Sequence, residues 1–175
     1  MTERVLIAGS GGQGIILTGK LLAAAALEQV PHVTFFPAYG AEVRGGVSNC
    51  QVVLSSEEIG SPICAEFDAL LLMNPASAEF YRQQCRPGSL TLINASLCRP
   101  EPLPGAVYVR ATEIAERLGS AQAANLVMLG AYLRRRPVVD PPRVERAIQD
   151  KLGRKSATLL ELNLLAFRTG LATET

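Results

Sequence analysis

Tryptophan is absent from this 175-residue chain, aromatic residues make up only 5%, and there is 1 histidine. Platforms for single-stranded nucleic acid are built by stacking bases on aromatic rings, so that class of function is excluded. An excess of one charge is missing too. Seventeen Lys and Arg against sixteen Asp and Glu leave a formal net charge of +1. Such a balance provides no basic field for nucleic acid or anionic lipid. Cys50, Cys64, Cys85 and Cys98 are widely spaced, without a CxxC pair, and His32 stands alone. Zinc sites and iron–sulfur clusters need several clustered soft ligands, so neither is supported. The longest apolar stretch, Gly14 to Leu27, is broken by Lys20 and is short for a bilayer. Met1-Thr2-Glu3-Arg4 runs directly into an apolar strand pattern, without the layout of a signal peptide. The expectation is a reduced, soluble, cytoplasmic protein with no nucleic-acid or membrane partner.

What is present supports a folded core. Apolar residues make up 48% and charged residues 19%, which argues against disorder. A mass of 18.7 kDa suits a single domain over residues 1–175. Val5 to Ala8 reads as a buried strand that ends in glycines, and Ile15 to Gln29 as a helix. Further strands are expected at Val33–Phe36, stopped by Pro37, and at Val47–Ser55, Phe67–Met73, Ser89–Asn94 and Ala106–Arg110. Asn74 is an N-cap with Pro75 in the first turn of a helix reaching Cys85, and Pro87-Gly88 is a turn. After Thr112 the pattern is helical, over Thr112–Leu118, Ala121–Arg134, Pro141–Leu152 and Ala157–Arg168. Strands alternating with helices predict an α/β fold: a Rossmann-like domain with a mostly parallel sheet and a helical C-terminal part.

Gly9-Ser10-Gly11-Gly12-Gln13-Gly14 follows the first strand and opens the first helix, as G-x-G-x-x-G. Glycines allow a tight turn, and free N–H groups at a helix start favour an anion. A dinucleotide site also needs an acid at the end of the second strand, and Phe35-Phe36-Pro37 has none. Gly14 to Lys20 fits G-x4-G-K, but Leu21 stands where Ser or Thr would hold magnesium, so an NTPase is rejected. The glycines then either cradle a ligand or permit close helix–sheet packing.

Pro37 to Gly46, containing Tyr39, Gly40, Glu42, Arg44, Gly45 and Gly46, is a polar, glycine-punctuated loop between two apolar strands. Arg44 beside two glycines could hold a carboxylate or another anion; a Glu42–Arg44 ion pair on a surface connection is the plainer alternative.

Together the two motifs, with Ser48-Asn49-Cys50 after the second, resemble the gamma subunit of the 2-oxoacid:ferredoxin oxidoreductases, of the 2-oxoglutarate or branched-chain 2-oxoacid type. Ile59-Gly60-Ser61-Pro62 and Ala123 to Gly130 extend the resemblance over nearly the whole chain, although Ala41-Glu42-Val43 stands where relatives often carry Pro-Glu-Met. The resemblance implies a complex that turns a 2-oxoacid, 2-oxoglutarate foremost, and coenzyme A into acyl-coenzyme A and carbon dioxide while reducing ferredoxin. It implies thiamine-binding alpha and beta partners, and a ferredoxin or ferredoxin-like cluster subunit. Thiamine diphosphate, magnesium and the [4Fe–4S] clusters would belong to those partners. This chain would hold no metal, supply no catalytic residue and be inactive alone. Gly9 to Gly14 would take the coenzyme A diphosphate. Tyr39, Gly40, Glu42, Arg44, Gly45, Gly46 and Asn49 would form an interface or active-site loop. The alternatives are a stand-alone nucleotide-binding module and the small subunit of an indolepyruvate enzyme.

Four further readings concern individual residues or short runs. His32 is a surface or strand-edge residue, Cys50 is a small core hydrophobe, and Arg134-Arg135-Arg136 suits a helix C-terminus. Asn125, inside an apolar helix, needs hydrogen-bond partners if buried and would fix an adjacent loop.

Overall fold

The computed structural model describes residues 1–38, 47–99, 103–153 and 156–174. The strands are β1 (Thr2–Ser10), β2 (His32–Ala38), β3 (Val47–Ser55), β4 (Phe67–Leu72), β5 (Cys85–Asn94) and β6 (Val107–Val109). The helices are α1 (Ile15–Ala26), α2 (Pro75–Tyr81), α3 (Ala111–Arg117), α4 (Ala124–Arg135), α5 (Pro141–Leu152) and α6 (Ala157–Ala172), with a 3-10 turn at Ala121–Ala123. None of the described helices is long and apolar enough to cross a membrane.

The strands form one 6-stranded sheet in the order β2-β3-β1-β4-β5-β6. β1, β4, β5 and β6 pair in parallel, and β3 runs antiparallel to both β1 and β2. The expected α/β, mostly parallel sheet is therefore present, with an antiparallel insertion near one edge. That insertion matters. β3 occupies the place beside β1 where a dinucleotide fold has its second strand. The end of β3 nearest the glycine loop is Val47, opposite Ser10, and among the described residues of that strand end there is no acid.

The pleat divides the core. Val5, Ile7, Cys50, Val52, Ala69 and Leu71 face α1, α4, α5 and α6 in one large cluster. Leu6, Ala8, Val47, Leu70, Leu72 and Ile93 face α2 in a smaller one. α4 is buried at every residue from Ala124 to Leu133, as expected of a helix apolar all round. α5 buries only Val144, Ile148 and Leu152, one stripe at i, i+4 and i+8.

Two local expectations change. Pro37 does not stop its strand, because β2 lies at the sheet edge, where a missing N–H can face away from the ladder. α2 ends at Tyr81, and Cys85 already pairs with Phe67. The next pair is Ala69 with Leu90, so Pro87-Gly88 bulges out of β5, with Gly88 at φ 77°.

Candidate functional site

The glycine loop leaves the carboxyl end of β1 and enters α1, whose first turn has no capping side chain and no acid. Its residues have different reasons to be glycine. A Cβ on Gly9 would lie 2.8 Å from both Ile15 Cδ1 and Met73 Cβ, so Gly9 serves packing. Gly14 has φ 71° and caps α1, and a Cβ there would strike the Asn125 amide. Gly12 has φ 87° in open space. Gly11 is exposed, lies outside the left-handed region, and a Cβ on it would meet nothing within 4 Å. Among the described residues nothing requires a glycine at position 11.

Side-chain amides hold this end of the sheet together. Gln13 Oε1 accepts from the Ser10 N–H at 2.7 Å, while Gln13 Nε2 donates to the Met73 carbonyl at 3.4 Å. Asn74 donates to Ser10 Oγ and caps α2 by accepting from the Ser77 N–H at 2.8 Å. Asn94 donates to the Met73 carbonyl at 3.2 Å and to Thr112 Oγ1 at 2.9 Å. Asn125 reaches back from α4 to the Gly14 carbonyl at 3.2 Å and Thr18 Oγ1 at 3.0 Å, fixing the loop as its burial required. Sequence reading found Asn74 as a cap and Asn125 as a buried amide. It missed Asn94 and the bridging role of Gln13, because only the topology brings those strand ends together.

Two clefts flank Gly12. One of ≈ 210 Å³ is lined by Gln13, Met73, Leu97 and Thr112. The other, of ≈ 190 Å³, is lined by Leu17, Gln122, Asn125 and Leu162. Among the described residues neither lining includes a charged side chain. A diphosphate could be met there by backbone N–H groups at an uncapped helix start.

The remaining calls from sequence separate. Asn49 is 7% exposed in β3, opposite Ala8 and Ala38. Tyr39, Gly40, Glu42, Arg44, Gly45 and Gly46 lie outside the described residues. The described residues on either side of them, Ala38 and Val47, belong to neighbouring strands, and Val47 pairs with Ser10. His32 sits at the opposite end, paired with Ser55. Cys50 is fully buried, its thiol pushed up to about 12 by desolvation, so it is a core residue and no nucleophile. Gly19, in the rejected NTPase pattern, lies inside α1 against Phe35.

A charged network that sequence reading missed lies at the amino end of the sheet. Glu3, 5% exposed, accepts from Tyr132 Oη at 3.2 Å and has Arg136 Nε at 3.5 Å. Burial raises the Glu3 carboxyl above its usual range, against the pull of Arg136. Arg136 therefore does more than end a helix: it also donates to the Asp68 carbonyl at 3.0 Å. Asp68 in turn meets Arg4 at 3.3 Å and Arg86 at 3.7 Å.

Residues 4–173 match the pyruvate ferredoxin/flavodoxin oxidoreductase family. The chain belongs to that family. It is 41% identical over 133 residues to ketoisovalerate oxidoreductase subunit VorA of Methanothermobacter marburgensis, covering 74% of this chain but 28% of that protein. It is 34% identical to 2-oxoglutarate synthase subunit KorC of Methanocaldococcus jannaschii, over 97% of this chain and 92% of that one. Among solved structures, 2-oxoglutarate:ferredoxin oxidoreductase from Magnetococcus marinus, with 2-oxoglutarate, coenzyme A and succinyl-CoA bound, superposes with a TM-score of 0.84 at 27% identity. That match covers 98% of this chain and 30% of the other. The family fold thus occurs both as a chain of this size and as under a third of a longer polypeptide.

Proposed function

We propose that this chain, as one gamma domain over residues 1–175, is the gamma subunit of a thiamine-diphosphate-dependent 2-oxoacid:ferredoxin oxidoreductase. The complex oxidises a 2-oxoacid, 2-oxoglutarate by preference, and joins the acyl group to coenzyme A. Carbon dioxide leaves and ferredoxin takes the electrons. Alpha and beta partners hold thiamine diphosphate and magnesium, and a cluster subunit or ferredoxin carries the [4Fe–4S] centres. This chain works inside the cell and is inactive alone. The observation that carries the reading is the near end-to-end match to a 2-oxoglutarate synthase subunit of similar length.

Within the complex, Gly9, Ser10, Gly11, Gly12, Gln13 and Gly14 receive the coenzyme A diphosphate on backbone N–H groups. The exposed, sterically open Gly11 supports this, since no described residue uses the space beside it. Coenzyme A supplies the thiol that accepts the acyl group; the loop's part is to position its phosphates. Tyr39, Gly40, Glu42, Arg44, Gly45, Gly46 and Asn49 meet the partner subunits and close the cavity. A stand-alone dinucleotide module is disfavoured by β3, which displaces the second strand from the loop.

Purification from the native host tests the reading. The chain is expected with thiamine-containing subunits, in a complex that reduces ferredoxin only when 2-oxoglutarate and coenzyme A are both present. Faster turnover of 2-oxoisovalerate, pyruvate or indolepyruvate would reassign the substrate. A lone chain that binds NAD would restore the nucleotide-module reading.

A further inference from the structure

The two clefts beside Gly12 adjoin. Their linings share Gly12 and Gln122. Glycine has no side chain, so among the described residues Gln122 is the one side chain that borders both. It stands on the 3-10 turn Ala121–Ala123, just ahead of α4.

The fold holds that turn in place. The Ala123 N–H donates to the Ser120 carbonyl at 3.0 Å, and the Ser120 N–H to the Ala115 carbonyl at 3.0 Å. Ala123 itself is buried. Asn125 follows Gln122 by three residues, the spacing that puts two helical side chains on one side. It ties this segment to the Gly14 carbonyl at 3.2 Å. The backbone of Gln122 is therefore fixed relative to the glycine loop before any ligand arrives.

The Gln122 side chain is uncommitted. Among the described residues four side-chain amides border the two clefts: Gln13, Gln122, Asn125 and Asn163. Gln13 Nε2 donates to the Met73 carbonyl, Asn125 Nδ2 to the Gly14 carbonyl and Thr18 Oγ1, and Asn163 Nδ2 to the Leu159 carbonyl at 2.6 Å. Gln122 is exposed, and its amide bonds to no described residue. Of the hydroxyls, Thr112 Oγ1 already accepts from Asn94. The Ser120 hydroxyl bonds to no described residue, but it borders only one cleft. Three of the amides hold the fold together; the fourth is positioned by the fold and used by no described part of it.

We infer that Gln122 is a ligand-contacting residue: its Nε2–H group donates to a phosphate oxygen of the coenzyme A diphosphate lying over Gly12 at the start of α1. The inference rests on the reading of Gly9 to Gly14 as the diphosphate loop. It adds a side-chain donor to a site otherwise made of backbone N–H groups, and it makes the 3-10 turn the wall facing the loop. A primary amide offers two N–H donors, and a bond from it to a charged oxygen is stronger than one between neutral groups.

The test uses the complex reconstituted from this chain and its thiamine-binding subunits. Calorimetry measures its affinity for coenzyme A, for ADP, which keeps the diphosphate, and for pantetheine, which lacks it. Gln122→Ala matches the alanines on either side, and Gln122→Glu keeps the shape of the side chain. Circular dichroism and assembly check that both variants fold. The control is Gln83→Glu, the same change at an exposed position after α2. Gln122→Ala is expected to weaken coenzyme A and ADP about tenfold, as for loss of one hydrogen bond to a charged group, and to leave pantetheine unchanged. Gln122→Glu sets a carboxylate against the phosphates. It should weaken both ligands more than Gln122→Ala does, and the gap between the two variants should narrow in added salt.

Coenzyme A affinity unchanged in both Gln122 variants, while Gly11→Val weakens it, overturns the inference and leaves the loop reading standing. Pantetheine weakened as much as ADP overturns the assignment of the contact to phosphate. Equal weakening by the Gln83 control, or loss of fold or assembly in Gln122→Ala, overturns the inference as well. Coenzyme A affinity unchanged in Gly11→Val and in both Gln122 variants overturns the loop reading together with it.

Discussion

The two ends of the sheet are built from different chemistry. At the carboxyl end, turns, backbone groups and neutral amides meet around Gly12, and among the described residues no charged side chain lines the adjoining clefts. At the amino end, Glu3, Asp68, Arg4, Arg86 and Arg136 form a partly buried ionic network. The first arrangement is held by neutral amide and backbone hydrogen bonds. The second uses its polar groups on one another. An end whose charges are consumed internally is suited to holding helices to the sheet. An end held by amides stays rigid without neutralising an incoming anion. The perturbation that should hurt each end most is therefore different in kind: charge at one, backbone shape at the other.

The largest effect is expected at the amino end. Arg136→Ala leaves the Glu3 carboxylate, 7% exposed at its side chain, without a cation and removes the bond to the Asp68 carbonyl. Breaking a buried pair in this way costs about 3–5 kcal/mol, and the partial exposure of Arg136 favours the lower figure. Urea denaturation measures it. A loss of under about 1 kcal/mol, typical of surface pairs, would show that the network is solvated and erase the contrast.

At the carboxyl end, Gly14→Ala is expected to cost about 2 kcal/mol. A non-glycine residue in left-handed conformation costs about 1–2 kcal/mol, and the new Cβ also meets the Asn125 amide. Making the same change in an Asn125→Ala background separates the two contributions, because the steric part then disappears while the backbone part stays. Equal costs in both backgrounds would remove Asn125 from the account of the loop.

A smaller effect distinguishes the ends by pH. The folded-state Glu3 carboxyl is raised above its ordinary 4.5, first by desolvation. The folded state therefore holds this proton more tightly than the unfolded state. Its contribution to stability is fully present below the ordinary carboxylate range and is lost as pH rises through the raised folded value. Glu3→Gln should flatten that fall, seen as the difference between wild-type and variant stability curves across mildly acidic pH. The Gly14→Ala cost should not vary over the same window. A difference curve that rises with pH would mean that Arg136, and not burial, dominates Glu3.

How much of this could be read from sequence follows the same division. The glycine loop was legible because strand, turn and helix are contiguous, and Val47–Ser55 and Pro141–Leu152 were placed at their observed bounds. The antiparallel direction of β3 was not legible, since alternation in a strand carries no sign of direction. Nor was Glu3–Tyr132–Arg136, in which Glu3 is 129 residues from Tyr132 and meets it and Arg136 only through the packing of α4 on β1. Pro37 was read as a strand stop and Pro87-Gly88 as a turn, because a proline's cost depends on which side of the ladder it faces, and spacing does not show that. For the candidate site, Gln13 was read only as one residue of the loop that would take the coenzyme A diphosphate. Its bond to the Met73 carbonyl needs β4 beside β1, which spacing alone does not show.

The smallest effect on the fold, and the sharpest on function, is expected at Gly11. Its open surroundings make Gly11→Val nearly neutral for stability, within about 0.5 kcal/mol, as for other exposed positions without special contacts. The same side chain would occupy the space through which a diphosphate approaches the start of α1. Coenzyme A affinity of the assembled complex should then fall tenfold or more, equivalent to about 1.4 kcal/mol. Early chemistry on the oxoacid, followed as carbon dioxide exchange at the thiamine, should suffer less because it precedes acyl transfer. Gly14→Val cannot serve here, since it disturbs the fold first; Gly11 separates ligand from packing within one loop. If the variant assembles, keeps its stability and binds coenzyme A as the wild type does, the open space beside Gly11 serves no phosphate. Both ends of the sheet would then be architecture, differing only in whether charge or backbone shape holds them.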